Sequence, residues 1–171
     1  MQETAQQYTR RLLGNIQGKD VIAILTLTPK QLAGLLKGKS LARLSKRPAR
    51  GKWSAAEIVA HFAEVEMVVG YRIRLVLSQN RVPIQAYDQN LWQLHSGYLH
   101  ENPGRALEML RVLREANLAL LKSLPKKKWK HYGIHQERGK ETVTRIVDLL
   151  AGHDINHLMQ LRKLLIDKEK K

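Results

Sequence analysis

Val143-Thr-Arg-Ile-Val-Asp-Leu-Leu-Ala-Gly-His-Asp-Ile-Asn-His-Leu-Met-Gln-Leu-Arg-Lys-Leu-Leu165 is the last strongly apolar stretch of the chain, and its spacing decides the fold. Val143, Ile146 and Leu150 recur in steps of three and four, then His153 and His157, then Leu161 and Leu164. This is the period of one helix face turned toward a core. Two imidazoles therefore stand where Leu or Ile is the cheap choice, and each costs about 1–3 kcal/mol if buried without a partner. Residues at i and i+4 stack on one face, about 6 Å apart at Cβ, close enough for two histidines to share a metal ion.

Working outward, Ser54-Ala-Ala-Glu57 matches a capping box and opens a second helix. Ile58, His61, Phe62, Val65, Val68, Val69 and Leu75 follow at helical spacing, down to about Leu77. His61 is thus a third imidazole at a core position. Pro83 separates this helix from a shorter one, about 88–98, carrying Leu91, Trp92 and Leu94. Asn102-Pro103 caps and starts the next, with Ala106, Leu107, Leu110, Leu113, Asn117, Leu120 and Leu121 as its stripe. The connection 125–141 holds Gly133 and Gly139 and reads as a polar loop, after which Thr142 caps the last helix. Near the start, Tyr8, Leu12, Leu13 and Ile16 suggest a short helix within 4–24, broken near Gly18. Thr28 reads as a cap and Pro29 as the first position of a helix with Leu32, Leu35 and Leu36 on its apolar face. No segment alternates apolar and polar residues over a strand's length. The expectation is an all-α four-helix bundle over 29–166 with a short additional helix. Residues 1–28 are expected to form a helical extension packed on it, and 167–171 a frayed basic tail.

A chain of 171 residues can bury a core without staples, and with no cysteine it has neither disulfides nor thiolate ligands. No apolar run approaches the ~20 residues of a membrane span. The start, Met-Gln-Glu-Thr-Ala-Gln-Gln-Tyr, lacks the features of a signal peptide, so a cytoplasmic location is expected. The net charge of +15 is clustered at 37–52, at 126–130 and at 168–171. Such a surface attracts anions, nucleic acid included, but base-stacking aromatics are few, and a solvated basic surface is the favoured reading.

From separate helices of a bundle, His61 and the pair His153 and His157 can converge on one interior point. Three neutral imidazoles with no fourth protein ligand leave open positions, as catalytic metal sites do. The competing reading is a set of core histidines, each hydrogen-bonded within the bundle. His131 and His135 are also four apart, but Gly133 between them points to exposed or rim positions, and His95 and His100 have no supporting pattern. Asp154 and Asn156 are assigned solvent contact or a hydrogen bond behind the ligands. Gln160, one turn after His157, is a candidate to orient that ring or touch a substrate. Glu64, one turn after His61, is a candidate general base, with a surface ion pair as the plainer role.

These residues resemble the DinB/YfiT-like superfamily from about Leu32 to Leu165. The resemblance lies in Arg47-Pro-Ala-Arg-Gly-Lys-Trp-Ser-Ala-Ala-Glu-Ile-Val-Ala-His61, in Asp88 and Trp92, and in Gly139 with Thr142 to His157, ending His-Asp-Ile-Asn-His-Leu-Met-Gln160. Gln136 departs from it, where many relatives have proline after the loop histidine. The resemblance implies a four-helix bundle with a divalent metal on three histidines, here His61, His153 and His157. Zinc, nickel, manganese and iron all occur in similar sites. It further implies homodimers and enzymes acting on small molecules. Some resemble S-transferases using an external low-molecular-weight thiol, and others are metal-dependent hydrolases. A binding protein without turnover, using its basic face on nucleic acid or an acidic partner, is the third alternative.

Overall fold

The computed structural model describes residues 3–98 and 101–166; His100 and the expected basic tail lie outside them. Four long helices build the molecule: α2 (Val21–Leu36), α4 (Ala55–Ser78), α6 (Pro103–Ser123) and α7 (Val143–Leu165), with α4 packed on α6 and α7, and α2 packed on α6 and α7. A first helix, α1 (Ala5–Asn15), lies on α7, and short helices α3 (Leu41–Ser45) and α5 (Gln89–His95) occupy the connections. The four-helix bundle is therefore present, with more short helices than the one expected.

Most helix starts lie where side-chain chemistry puts them. Ser54 and Glu57 form the reciprocal capping box of α4, Asn102 accepts from the amides of Gly104 and Arg105 ahead of α6, and Thr142 accepts from Arg145 to open α7. Thr4 and Gln7 form a second capping box on α1. The start of α2 differs from expectation. Asp20 caps it, Thr28 is buried in mid-helix with its hydroxyl on the Ile24 carbonyl, and Pro29 lies inside the helix. The boundary expected between 28 and 29 thus falls within a helix. Pro29 has no N–H for the carbonyl of Leu25 four residues back, and that carbonyl instead accepts from Arg114 Nη1 at 2.8 Å. A tertiary hydrogen bond replaces the missing helical one.

The connection 125–141 is not the plain loop expected. A 3-10 turn at Lys126–Lys130 leads into β2 (Tyr132–His135) and β3 (Gly139–Thr142), an antiparallel hairpin whose β2 pairs in parallel with β1 (Val82–Ile84). Strands of three or four residues carry too little alternation to be read from sequence. Gln136 belongs to this construction: its N–H donates to the Ile84 carbonyl at 3.2 Å and its side-chain oxygen accepts from Ala86 N at 2.8 Å. A proline there could not make the first bond.

Two apolar clusters fill the bundle. One gathers Phe62, Leu110, Leu158 and Leu161 near the start of α4, the other Ile73, Leu121, Val147 and Leu150 toward its end. Helix α1 approaches α7 so closely that a Cβ on Gly152 would stand 2.2 Å from the Leu12 carbonyl oxygen. No described helix is long and apolar enough to cross a membrane.

Candidate metal centre

His61 projects from α4, and His153 and His157 from α7. Their exposures of 1%, 5% and 8% place all three inside the bundle. One ligand-capable nitrogen from each lies within 4.8 Å of the others, and Nε2 of His61 and Nε2 of His153 are 2.9 Å apart. The ring centroids are 4.4–5.0 Å from one another. Phe62 meets the two α7 rings edge-on, and Trp53 meets His61 at 4.9 Å. Apolar walls thus hold three imidazoles at one point.

The protonation chemistry suits a cation. Burial pushes His61 well below the usual histidine range, and the neighbouring His153 and His157 rings add to it. Burial, then His153, pushes His157 down to about 3. These rings are neutral at neutral pH and offer lone pairs. Gln160 Oε1 lies 2.9 Å from His157 Nδ1, so Nδ1–H donates to it and Nε2 is left as the free acceptor. Of the roles considered for Gln160, orienting the ring is the one the geometry supplies.

Among the described residues His153 Nδ1 has no hydrogen-bond partner, and 3.5 Å away is Oδ1 of Asp154, also without one. Asp154 is wholly buried, so the solvent contact considered for it does not occur. Its other oxygen accepts from Arg114 Nη1 at 2.8 Å, Arg114 Nε donates to Glu66 at 2.8 Å, and Asn117 donates to the second Glu66 oxygen at 2.8 Å. Burial favours the neutral form of Asp154, but the Arg114 guanidinium and His153 together hold the carboxyl below its ordinary value. The pinned carboxylate stands on the side of His153 opposite Nε2, where the partner of a ligating histidine's second nitrogen is commonly found. The donor set fits a divalent metal.

Other sequence expectations fare differently. Glu64 is half-buried, does not line the cavity beside the histidines, and has no ion pair among the described residues. Burial and then Glu101 push its carboxyl up. Glu57 caps α4 as expected and also binds Arg47 and Gln93. His135 is neither exposed nor at a rim: it is 2% exposed in β2, its Nδ1 accepting from the Glu137 amide at 3.2 Å. His95 is exposed, and Asn156 meets Arg11 of α1. The buried Glu66, Arg114 and Asp154 were not singled out as a group. Their one sequence signal is that Arg114 follows Leu110 by four residues on what proves to be the buried face of α6.

A cavity of about 710 Å³ opens from His61 and His153 and runs between α4, α7 and α1 toward the β2–β3 hairpin. Small-molecule sites commonly have this volume.

The profile of the DinB superfamily matches residues 24–161. YfiT of Bacillus subtilis, provisionally named a metal-dependent hydrolase, is 24% identical over 145 residues, 84% of this chain and 81% of its own. A protein of Oceanobacillus iheyensis with the same provisional name is 25% identical over 119 residues, 70% of this chain and 68% of its own. The solved structure of YfiT, described as an unusual four-helix bundle, superposes with a TM-score of 0.75 at 21% identity, over 94% of this chain and 88% of that one.

Proposed function

The chain belongs to the DinB superfamily, and from that membership and the convergence of three buried imidazoles we propose that it is a divalent-metal enzyme with its ion held by His61, His153 and His157, activating an external low-molecular-weight thiol for transfer to a small electrophile. A divalent ion at three histidines supplies Lewis acidity, which lowers the pKa of a coordinated thiol or water. The chain's own residues do the rest. Gln160 holds the His157 ring in the tautomer that points a lone pair inward, Asp154 stands 3.5 Å behind His153, and Trp53 and Phe62 pack against the flanks of the rings.

The choice of thiol over water rests on what the cavity does not offer a hydrolytic reaction. Its carboxylates are engaged elsewhere: Glu3 with Arg11, Asp88 in capping α5, Glu141 with Arg138; Glu137 is exposed at the rim. A thiol, with a pKa near 8.5, needs only a small lowering to ionise at neutral pH and no such base. With no cysteine in the chain, the thiol must come from outside. Hydrolysis at the same site is the second reading, favoured by the names of the relatives.

The test is metal analysis of tag-free protein after loading with zinc, nickel, manganese or iron, followed by thiol conjugation and ester hydrolysis assays. Metal-dependent conjugation that disappears, along with most of the metal, in His157→Ala is the expected result. Thiol-independent hydrolysis would transfer the assignment to the second reading, and full metal retention by His157→Ala would remove the site.

A further inference from the structure

On α4 the residues facing the cavity are His61, Val65, Val69 and Arg72, at spacings of four, four and three. One helix face therefore passes from an imidazole across two valines to a guanidinium, about 16 Å along the axis from first to last. On α7 the same cavity meets His153, then Leu150 and Leu149, then Ile146. The walls define an imidazole end, an apolar middle and a far end where Arg72 and Arg138 stand with Glu137 and Glu141.

Arg72 is 9% exposed, and among the described residues its one hydrogen bond runs from Nη2 to the Gln85 carbonyl at 2.6 Å. It stacks over the Tyr87 ring, 5.5 Å from the centroid, and forms no ion pair among the described residues. The buried carboxylate nearby, Glu141, is occupied by Arg138, whose Nε and Nη2 donate to its two oxygens at 2.6 and 3.2 Å. Two guanidinium groups thus share one buried carboxylate, while Glu137 sits exposed at the rim. Burial and then the charge of Arg138 work against the Arg72 cation, Tyr87 and Glu141 favour it, and a guanidinium remains protonated at neutral pH. A buried cation with no ion pair of its own is expensive, and Arg72 lines the cavity with guanidinium N–H groups beyond the one that Gln85 takes.

We propose that this cavity takes a small molecule with an apolar body and a carboxylate at the end remote from the histidines, and that Arg72 binds that carboxylate. That this molecule is a substrate rests on the metal-enzyme reading above; the anion site itself does not.

The test titrates metal-free wild-type protein with octanoate and with octanamide, its uncharged counterpart, by calorimetry. Wild-type protein is expected to bind octanoate at least about tenfold tighter, the weight of one charge-assisted contact of about 1.4 kcal/mol. Arg72→Gln should reduce that preference below about twofold while leaving octanamide affinity unchanged, which also reports that the variant is folded. Arg138→Gln, whose charge Glu141 already engages, should retain most of the preference, and Arg72→Lys should keep part of it. Equal affinity for the two probes, no binding of either, or a preference that survives Arg72→Gln would overturn the proposal. Because the protein carries no metal in this titration, the two readings fail separately. Absent metal binding with an intact Arg72-dependent preference removes the enzyme and leaves the anion site; metal binding without the preference does the reverse.

Discussion

Asp154 shows how much one buried carboxylate can carry. It compensates Arg114 and stands 3.5 Å behind the orphaned nitrogen of His153, so it joins the helix-packing network to the histidine cluster. Asp154→Asn keeps the shape and removes the charge. We expect a stability loss of about 3–5 kcal/mol by denaturant unfolding, the cost of breaking a buried pair. Metal affinity should also fall about 10–100-fold in equilibrium titration, as when a group behind a ligand is lost. An unchanged metal affinity in a folded variant would separate the network from the site. His135 gives a prediction in pH. Burial, then Arg138, pushes it down to about 4, so the folded state binds a proton less readily than the unfolded chain, whose histidine titrates near 6.5. Its contribution is present above about pH 6.5 and is lost as pH falls toward 4. His135→Asn should therefore flatten the acid-side loss of stability over that window by up to about 3 kcal/mol. Parallel pH profiles of the two proteins would contradict the assignment.

At the scale of elements, α2 shows a helix tolerating its own breaker. An interior proline ordinarily costs about 3 kcal/mol through a lost hydrogen bond and a ring clash. Here Arg114, reaching across from α6, supplies the donor that Pro29 lacks. Pro29→Ala is accordingly expected to gain less than about 1 kcal/mol by denaturant unfolding, since the carbonyl is already satisfied and the proline's restriction of the unfolded chain is given up. A gain near 3 kcal/mol would show that Arg114 does not compensate. The same bond explains why a first-turn proline was the natural reading of Thr28-Pro29: nothing in the local sequence announces a donor 89 residues away. The small sheet was illegible for a related reason. Its strands are three or four residues long and are made by pairing distant segments, with Gln136 bonding Ile84 and Ala86 at the end of β1. The Ser54–Glu57 capping box, by contrast, is contained within four consecutive residues and is legible as it stands.

For the whole molecule, the candidate centre ties α4 to α7 across 92 positions of sequence. An ion that binds only the folded state should stabilise the fold by mass action, about 2.7 kcal/mol at a concentration 100 times its Kd. Melting with and without zinc or nickel measures this. The gain should vanish in His61→Ala, and a gain that persists would place the ion elsewhere, for example on exposed histidines such as His95. What the sequence alone determined was what depends on neighbours along the chain: the helical period, the caps, the absence of cysteine, and three imidazoles at apolar positions where their desolvation demands a purpose. Tertiary structure decided what depends on approach between helices. It set the 2.9 Å meeting of His61 and His153 and the burial of Asp154 against Arg114. It also set the rescue of Pro29 and a cavity ending at Arg72, which forms no ion pair among the described residues. Periodicity states which face of a helix is buried, but only packing states what that face is buried against, and charge and coordination chemistry act between facing groups.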